Sequence, residues 1–294
     1  MKRILFSIVL TFFFASTAMS HSLWINLHES YAHNPGHAIS SIGWGHSVPM
    51  DDFLGSKAGL IEIEKYEILS PDGTISSLGI PEIKPLEKTK TSSGITISKG
   101  DLAARKIGLT DLSQKGTYQV TASLKSKFFT SYIDKNGKTK MVTKPMDEVK
   151  DAKSFNFSIK YKNEAKSYMT IDRWSDPKPS GNAIEIKPLS DFSKLKAGDL
   201  AEFEITLNGK SLSSSKQEPN YLYAASNTYG GPDNFSLCSM IRNGKAQIRI
   251  PSAGQWLISV NVKKNVDKDN ELKELYGKCQ SISYNSSLSI NVKP

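Results

Sequence analysis

Apolar and polar residues alternate one for one along much of this chain, in short runs broken by turn formers. A period of two places successive side chains on opposite faces of a strand, so the pattern points to β-structure. Leu60 to Leu69 puts Ile61 and Ile63 on one face and stops at Ser70-Pro71-Asp72-Gly73. Tyr118, Val120, Ala122 and Leu124 alternate after Gly116. Phe128 to Ile133 leads into Asn136-Gly137, the pair that favours a type I′ hairpin turn, and Ala201 to Leu207 leads into a second such pair, Asn208-Gly209. Trp256, Ile258, Val260 and Val262 alternate after Gly254, and Leu288, Ile290 and Val292 close the series. Only two short helical turns are expected, near Met146 to Ala152 and Asp269 to Leu275. Short strands at this spacing predict an all-β protein made of sandwiches.

About 270 residues beyond a leader exceed the usual size of one domain, so two are expected. Trp174 to Asn182 (WSDPKPSGN) is rich in Pro, Ser and Gly and marks the boundary. The expectation is two immunoglobulin-like β-sandwich domains, residues 21–172 and 185–294, behind a cleaved signal peptide at residues 1–20. Trp174 and Trp256 read as core or interface aromatics.

The leader follows from the first twenty residues. Lys2 and Arg3 precede an apolar run from Ile4 to Phe14, and small residues follow from Ala15 to Ser20. A basic start, a short apolar stretch and small residues define a secretory signal. The run is too short for a transmembrane helix, which needs about 20 apolar residues. The mature protein is therefore expected to be exported and soluble, with a bacterial periplasm as the expected compartment. Two cysteines, Cys238 and Cys279, lie 41 positions apart (279 − 238) and suit an oxidising compartment. They are expected to form a disulfide worth about 4 kcal/mol by loop closure. A metal-binding pair is the alternative, and every histidine is far from both.

The formal charge is +9, and subtracting Lys2 and Arg3 leaves +7. The lysines are interleaved with Asp and Glu, and compact Arg-rich patches are missing. Such a surface is a solvated one and not a nucleic-acid footprint.

Histidine carries the functional signal. All five, His21, His28, His33, His37 and His46, fall within the first 46 residues, and the other 248 contain none. Neutral imidazole is a good donor to nickel, cobalt, copper and zinc. His33 and His37 flank the Asn34-Pro35-Gly36 turn and read equally well as solvated turn residues. His46 follows Gly43-Trp44-Gly45, where a bare backbone can approach a neighbour closely. His21 stands where the leader ends. Cutting after Ser20 makes His21 the first residue, so that its amine and ring Nδ1 chelate one ion. Cutting after Ala18 leaves Met19-Ser20-His21, whose amine, amides and ring wrap Ni(II) or Cu(II) in a plane. Affinity in either case falls with acid. A strand over Ser22 to Leu27 sets Leu23, Ile25 and Leu27 on one face and His28 on the other. A turn at Asn34-Pro35-Gly36 and a return strand, Ala38 to Gly45, then bring His46 back beside His21. His28, Asp51 and Asp52 are the candidates to complete the site, which we expect to be His21, His46, His28 and Asp51.

These residues resemble a known family. His21-Ser22-Leu23-Trp24, the Pro35-Gly36 turn, and Gly43-Trp44-Gly45-His46-Ser47-Val48-Pro49 are similar to the pattern of the exported family DUF4198, often labelled a nickel- or cobalt-uptake component. Gly116-Thr117-Tyr118-Gln119-Val120, Lys196-Ala197-Gly198-Asp199 and Ala253-Gly254-Gln255-Trp256 are similar too, but are generic to sandwiches. Only His21 and His46 match the family pattern. His28, His33 and His37 stand outside it, and Ile241 to Lys245 departs from the compact turn expected there. The resemblance implies a periplasmic protein that binds Ni or Co and exchanges it with a membrane or outer-membrane transporter component.

Binding is expected here, not catalysis. No P-loop occurs, no carboxylate pair stands out, and any catalytic histidine would have to come from the same cluster. Three other functions compete for the same residues: periplasmic copper handling, an oxidative His-brace copper enzyme, and a non-metal module, either a sandwich that binds sugar or peptide or an assembly subunit. Met50 is the only methionine near the cluster, which argues against a thioether-rich Cu(I) site.

Overall fold

The computed structural model describes residues 21–55, 61–229 and 236–294. The expected leader, residues 1–20, and Leu60 lie outside them. The described strands are, in order, β1 (Ser22–Ser30), β2 (His37–Gly45), β3 (Ile63–Leu69), β4 (Ile75–Ser77), β5 (Glu87–Lys90), β6 (Thr96–Lys99), β7 (Arg105–Gly108), β8 (Gly116–Leu124), β9 (Lys127–Asp134) and β10 (Thr139–Val142). They continue with β11 (Ala152–Ile171), β12 (Ile184–Pro188), β13 (Leu200–Leu207), β14 (Lys210–Ser211), β15 (Tyr221–Ser226), β16 (Leu237–Met240), β17 (Lys245–Arg249), β18 (Gly254–Asn265) and β19 (Ser281–Val292). Among the described residues there is no α-helix. The two helical turns expected from the sequence are single 3-10 turns, Met146–Glu148 and Lys273–Leu275.

One large sheet organises the chain. Its strands run β16-β15-β18-β19-β11-β8-β3-β4, with β9 and β10 added beside the first half of β11. Two smaller sheets pack on it. The first, β1-β2-β7, covers β11, β8 and β3 and encloses Leu23, Ile25, Leu27, Ile42, Tyr66 and Val120. The second, built from β12, β13, β14 and β17, covers β15, β18 and β19 and encloses Ile184, Phe203, Trp256, Ile258 and Leu288. The protein is thus all-β, with two sandwich cores. The sandwiches share the large sheet, because β11 pairs in parallel with β19 from Ile159↔Ser281 to Ser167↔Ser289. Ala165 and Ser287 face the first small sheet, whereas Lys166 and Leu288 face the second. The two small sheets therefore lie on opposite faces of the shared one. The segment from 172 to 182 contains no strand and crosses between the cores.

The turn at Asn136-Gly137 differs from the expected type I′. Thr139 pairs with Ile133, and the Asp134 carboxylate accepts the N–H groups of Asn136 and Lys138 at 2.9 Å each. That caps a wider loop. Asn208-Gly209 does take the type I′ form, with φ of 49° and 75°.

The expected Cys238–Cys279 disulfide is absent, and both thiols are free. Cys238 pairs in register with the exposed Tyr223, so it stands on the face of the shared sheet opposite Leu222 and Ala224. Cys279 is buried in the second core with those residues. The sheet lies between the two sulfurs, and spacing in sequence carried no information about that.

Candidate metal centre

The site grows from the β1–β2 hairpin. Leu23, Ile25 and Leu27 face the first core, so the strand's register is fixed by burial. Its partners run from Ser22↔Gly45 to Ser30↔His37. One step beyond Gly45, His46 stands opposite His21. Their ring centroids are 4.4 Å apart with a tilt of 44°. Trp44 stacks on His21 at 5.4 Å and 16°, which fixes the ring's plane. Trp44 is itself buried, and among the described residues its indole N–H has no hydrogen-bond partner.

The loop after β2 is built to present His46. Gly45 has a φ of +133°, and Asp51 lies against its Cα where a side chain would stand. The Asp51 carboxylate accepts the backbone N–H of His46 at 2.6 Å. Asp52 donates its own N–H to the carbonyl of Trp44 at 3.1 Å. Underneath, Trp24 is fully buried and donates to Asn26 at 3.0 Å and to the Pro49 carbonyl at 3.1 Å. Trp24, Val48 and Leu257 form a small apolar cluster that ties the loop to β18 of the other sandwich.

Electrostatics favour a neutral donor. Burial lowers the His21 pKa and the neighbouring His46 lowers it further, while Asp52 and Asp51 pull the other way. A neutral imidazole is the ligating form.

The other histidines are elsewhere. His28 pairs with Ile39 seven residues along β1, about 23 Å away at the usual strand rise. His37 opens β2 and pairs with Ser30, and His33 lies in the exposed turn between the two strands. The expected grouping of His28 with His21 and His46 is therefore corrected: alternation puts His28 on the face away from Leu23, Ile25 and Leu27, and strand length carries it to the other end. Asp51 lies beside the pair, yet one of its oxygens already holds the His46 backbone. Among the described residues no three His, Cys, Asp or Glu side chains are grouped to hold a metal ion. The described side chains thus bring two imidazoles together. Two nitrogens bound to one ion lie no more than about 4 Å apart, since each bond is about 2.0–2.1 Å. Rings this close reach that separation by rotation.

The family model described as a domain of unknown function, DUF4198, matches residues 18–264. The chain belongs to the DUF4198 family. The match takes in the whole hairpin and the His46 loop and ends within β18, before the central strand β19. No curated protein matches this DUF4198 chain. Trp44 is the site residue that the sequence did not single out for a role. Its signal was its place between two glycines immediately before His46.

Among the described residues of this DUF4198 protein, no helix is long and apolar enough to cross a membrane.

Proposed function

We propose that this protein is an exported, periplasmic binding protein that takes one divalent transition ion at the His21–His46 end of the hairpin and serves metal uptake or delivery to a membrane transporter component. Nickel or cobalt is the proposed cargo. The observation that carries the reading is the approach of the two imidazoles to 4.4 Å, in a chain whose histidines all lie in this one segment. Imidazole suits borderline ions such as Ni, Co, Cu and Zn. The donors that complete the set come with processing. Release of the leader after Ser20 gives His21 a free amine beside its own ring. Release after Ala18 gives the Met19-Ser20-His21 amine and amides. Asp52 and water complete the shell.

Copper is the second reading, because an amine and two imidazoles without a thioether form a set that also suits Cu(II). Copper's place at the top of the divalent affinity order makes binding in vitro a poor guide to cargo. The test is native mass spectrometry of protein purified from the periplasm of nickel- or cobalt-supplemented cells. One Ni or Co per chain starting at His21 or Met19 supports uptake or delivery. One Cu favours the second reading. A chain that stays metal-free when nickel and copper are added defeats both.

A further inference from the structure

The two sandwiches also meet at the opposite end of β1, where β11 and β19 finish side by side. There they enclose a cleft of about 610 Å³, lined by the β1 end on one side and by the 3-10 turn Phe192–Lys194 on the other. Clefts of roughly 300–1,000 Å³ at domain junctions are the usual seats of small ligands. This one lies about 23 Å or more from His21 by the rise of β1, and nothing in the metal reading uses it.

Its chemistry is selective. The aromatic surface comes from the half-buried Trp174 and the exposed Tyr31. Trp174 is wedged by Tyr168 at 5.8 Å, edge to face, and by Phe192 at 6.4 Å. Tyr31 is held by contacts of its hydroxyl with Glu29 at 3.3 Å and with the Thr170 carbonyl at 3.4 Å. Burial and the Glu29 charge push the Tyr31 phenol up to about 12, so it remains a donor. The polar surface includes His28, Glu29 and the Asn291 amide, which donates to the Leu27 carbonyl at 2.7 Å.

The charges cancel. Asp172 is engaged by Lys115 at 3.1 Å, and Lys194 by Asp191 at 3.5 Å. Glu29 and Lys293 remain, one of each sign; burial raises the Glu29 pKa, and Lys293 pulls it back only slightly. A cleft without surplus charge does not select an ion. Aromatic walls with planar amide, carboxylate and imidazole groups, and with little aliphatic surface, do not select a lipid. Sugars pair apolar ring faces with hydroxyls that both donate and accept, and this lining offers partners for each.

We propose that the cleft between the sandwiches binds a neutral oligosaccharide, with a ring against the exposed Tyr31 and its hydroxyls on His28, Glu29 and Asn291. The test is saturation-transfer NMR on the purified protein with maltotriose, cellotriose and chitotriose at millimolar concentration. Transfer to at least one of them is expected. Tyr31→Ala should weaken that binding about tenfold, the loss of one aromatic contact and its buried area. His28→Ala, a surface change, should weaken it as well, which guards against a Tyr31 variant that fails to fold. Binding should persist in His46→Ala. No transfer to any of the three sugars overturns the proposal. So does equal transfer in folded Tyr31→Ala and His28→Ala variants, or loss of transfer in His46→Ala, which would move the sugar to the other end of β1. Transfer only to an anionic sugar such as trigalacturonate overturns the neutral class.

Discussion

The imidazoles of His21 and His46 lie 4.4 Å apart although the residues are 25 positions apart (46 − 21) in sequence. Pairing of Ser22 with Gly45 accounts for this, and the core-facing Leu23, Ile25 and Leu27 hold that register. A slip of one residue would turn Leu23, Ile25 and Leu27 away from the first core and Trp24 away from Val48 and Leu257, so the pair is as secure as the strand.

His46→Ala should therefore weaken nickel binding about tenfold or more, the usual loss for a group at or next to the metal. His28→Ala should leave it unchanged, because His28 lies at the far end of β1. Competition against a chromogenic chelator measures both. Both side chains are exposed, so each variant should stay within about 0.5 kcal/mol of wild-type stability. Equal losses in the two variants would mean that the hairpin end is not the site.

The free cysteines should differ in reactivity. Cys238 is exposed at an edge strand, whereas Cys279 is buried, and burial raises its thiol pKa. The thiolate is the reactive form, so both access and ionisation protect Cys279. Alkylation of native protein should add one label, at Cys238, and a second only after denaturation. An unreduced protein that takes no label even when unfolded would restore the disulfide.

Gly43 has a packing role. It lies opposite Trp24 in the β1–β2 register, and a Cβ there would run into the Trp24 indole. Trp24 is fully buried and hydrogen-bonded, so it cannot yield cheaply. Gly43→Ala should cost about 1–3 kcal/mol and lower the melting temperature by about 2–10 °C. Scanning calorimetry would measure the drop, and an unchanged transition would mean that the indole moves aside freely.

Strands with one buried and one open face were legible in the sequence, as β13 illustrates, because alternation records a single buried face; β8 was legible too because Thr117, Gln119, Thr121 and Ser123 on its other face are polar, although they are buried. The hairpin that joins His21 to His46 was legible from the alternation of Leu23, Ile25 and Leu27, although Trp24 and Asn26 on the other face are buried too. β11 was not. Its face with Lys160, Lys162, Glu164 and Lys166 reads as solvated, yet Lys166 is buried, with its ammonium 2.6 Å from Glu185. The charge pattern conceals a buried face because the partners come from β12 and the 172–182 segment. Sharing of one sheet by the two sandwiches was hidden with it. The reach of His28 was misjudged because alternation reports the face of a strand and not the distance along it.

Glu164 on this concealed face gives a pH-dependent prediction. It is 5% exposed, and burial raises its pKa from 4.5 in spite of Lys162 at 3.1 Å and the Ala183 N–H at 2.7 Å. A raised carboxyl pKa means that the folded state binds the proton more tightly than the unfolded chain. The group's favourable contribution is therefore complete below the unfolded value and is lost as pH rises through the folded one. Glu164→Gln keeps the shape and removes the titration. Its stability relative to wild type should shift in the variant's favour between about pH 4 and about pH 7, whatever the constant offset from altered hydrogen bonds. Urea unfolding at both pH values measures the shift. A difference that stays constant, or moves the other way, would mean that the Lys162 ion pair outweighs burial at this position.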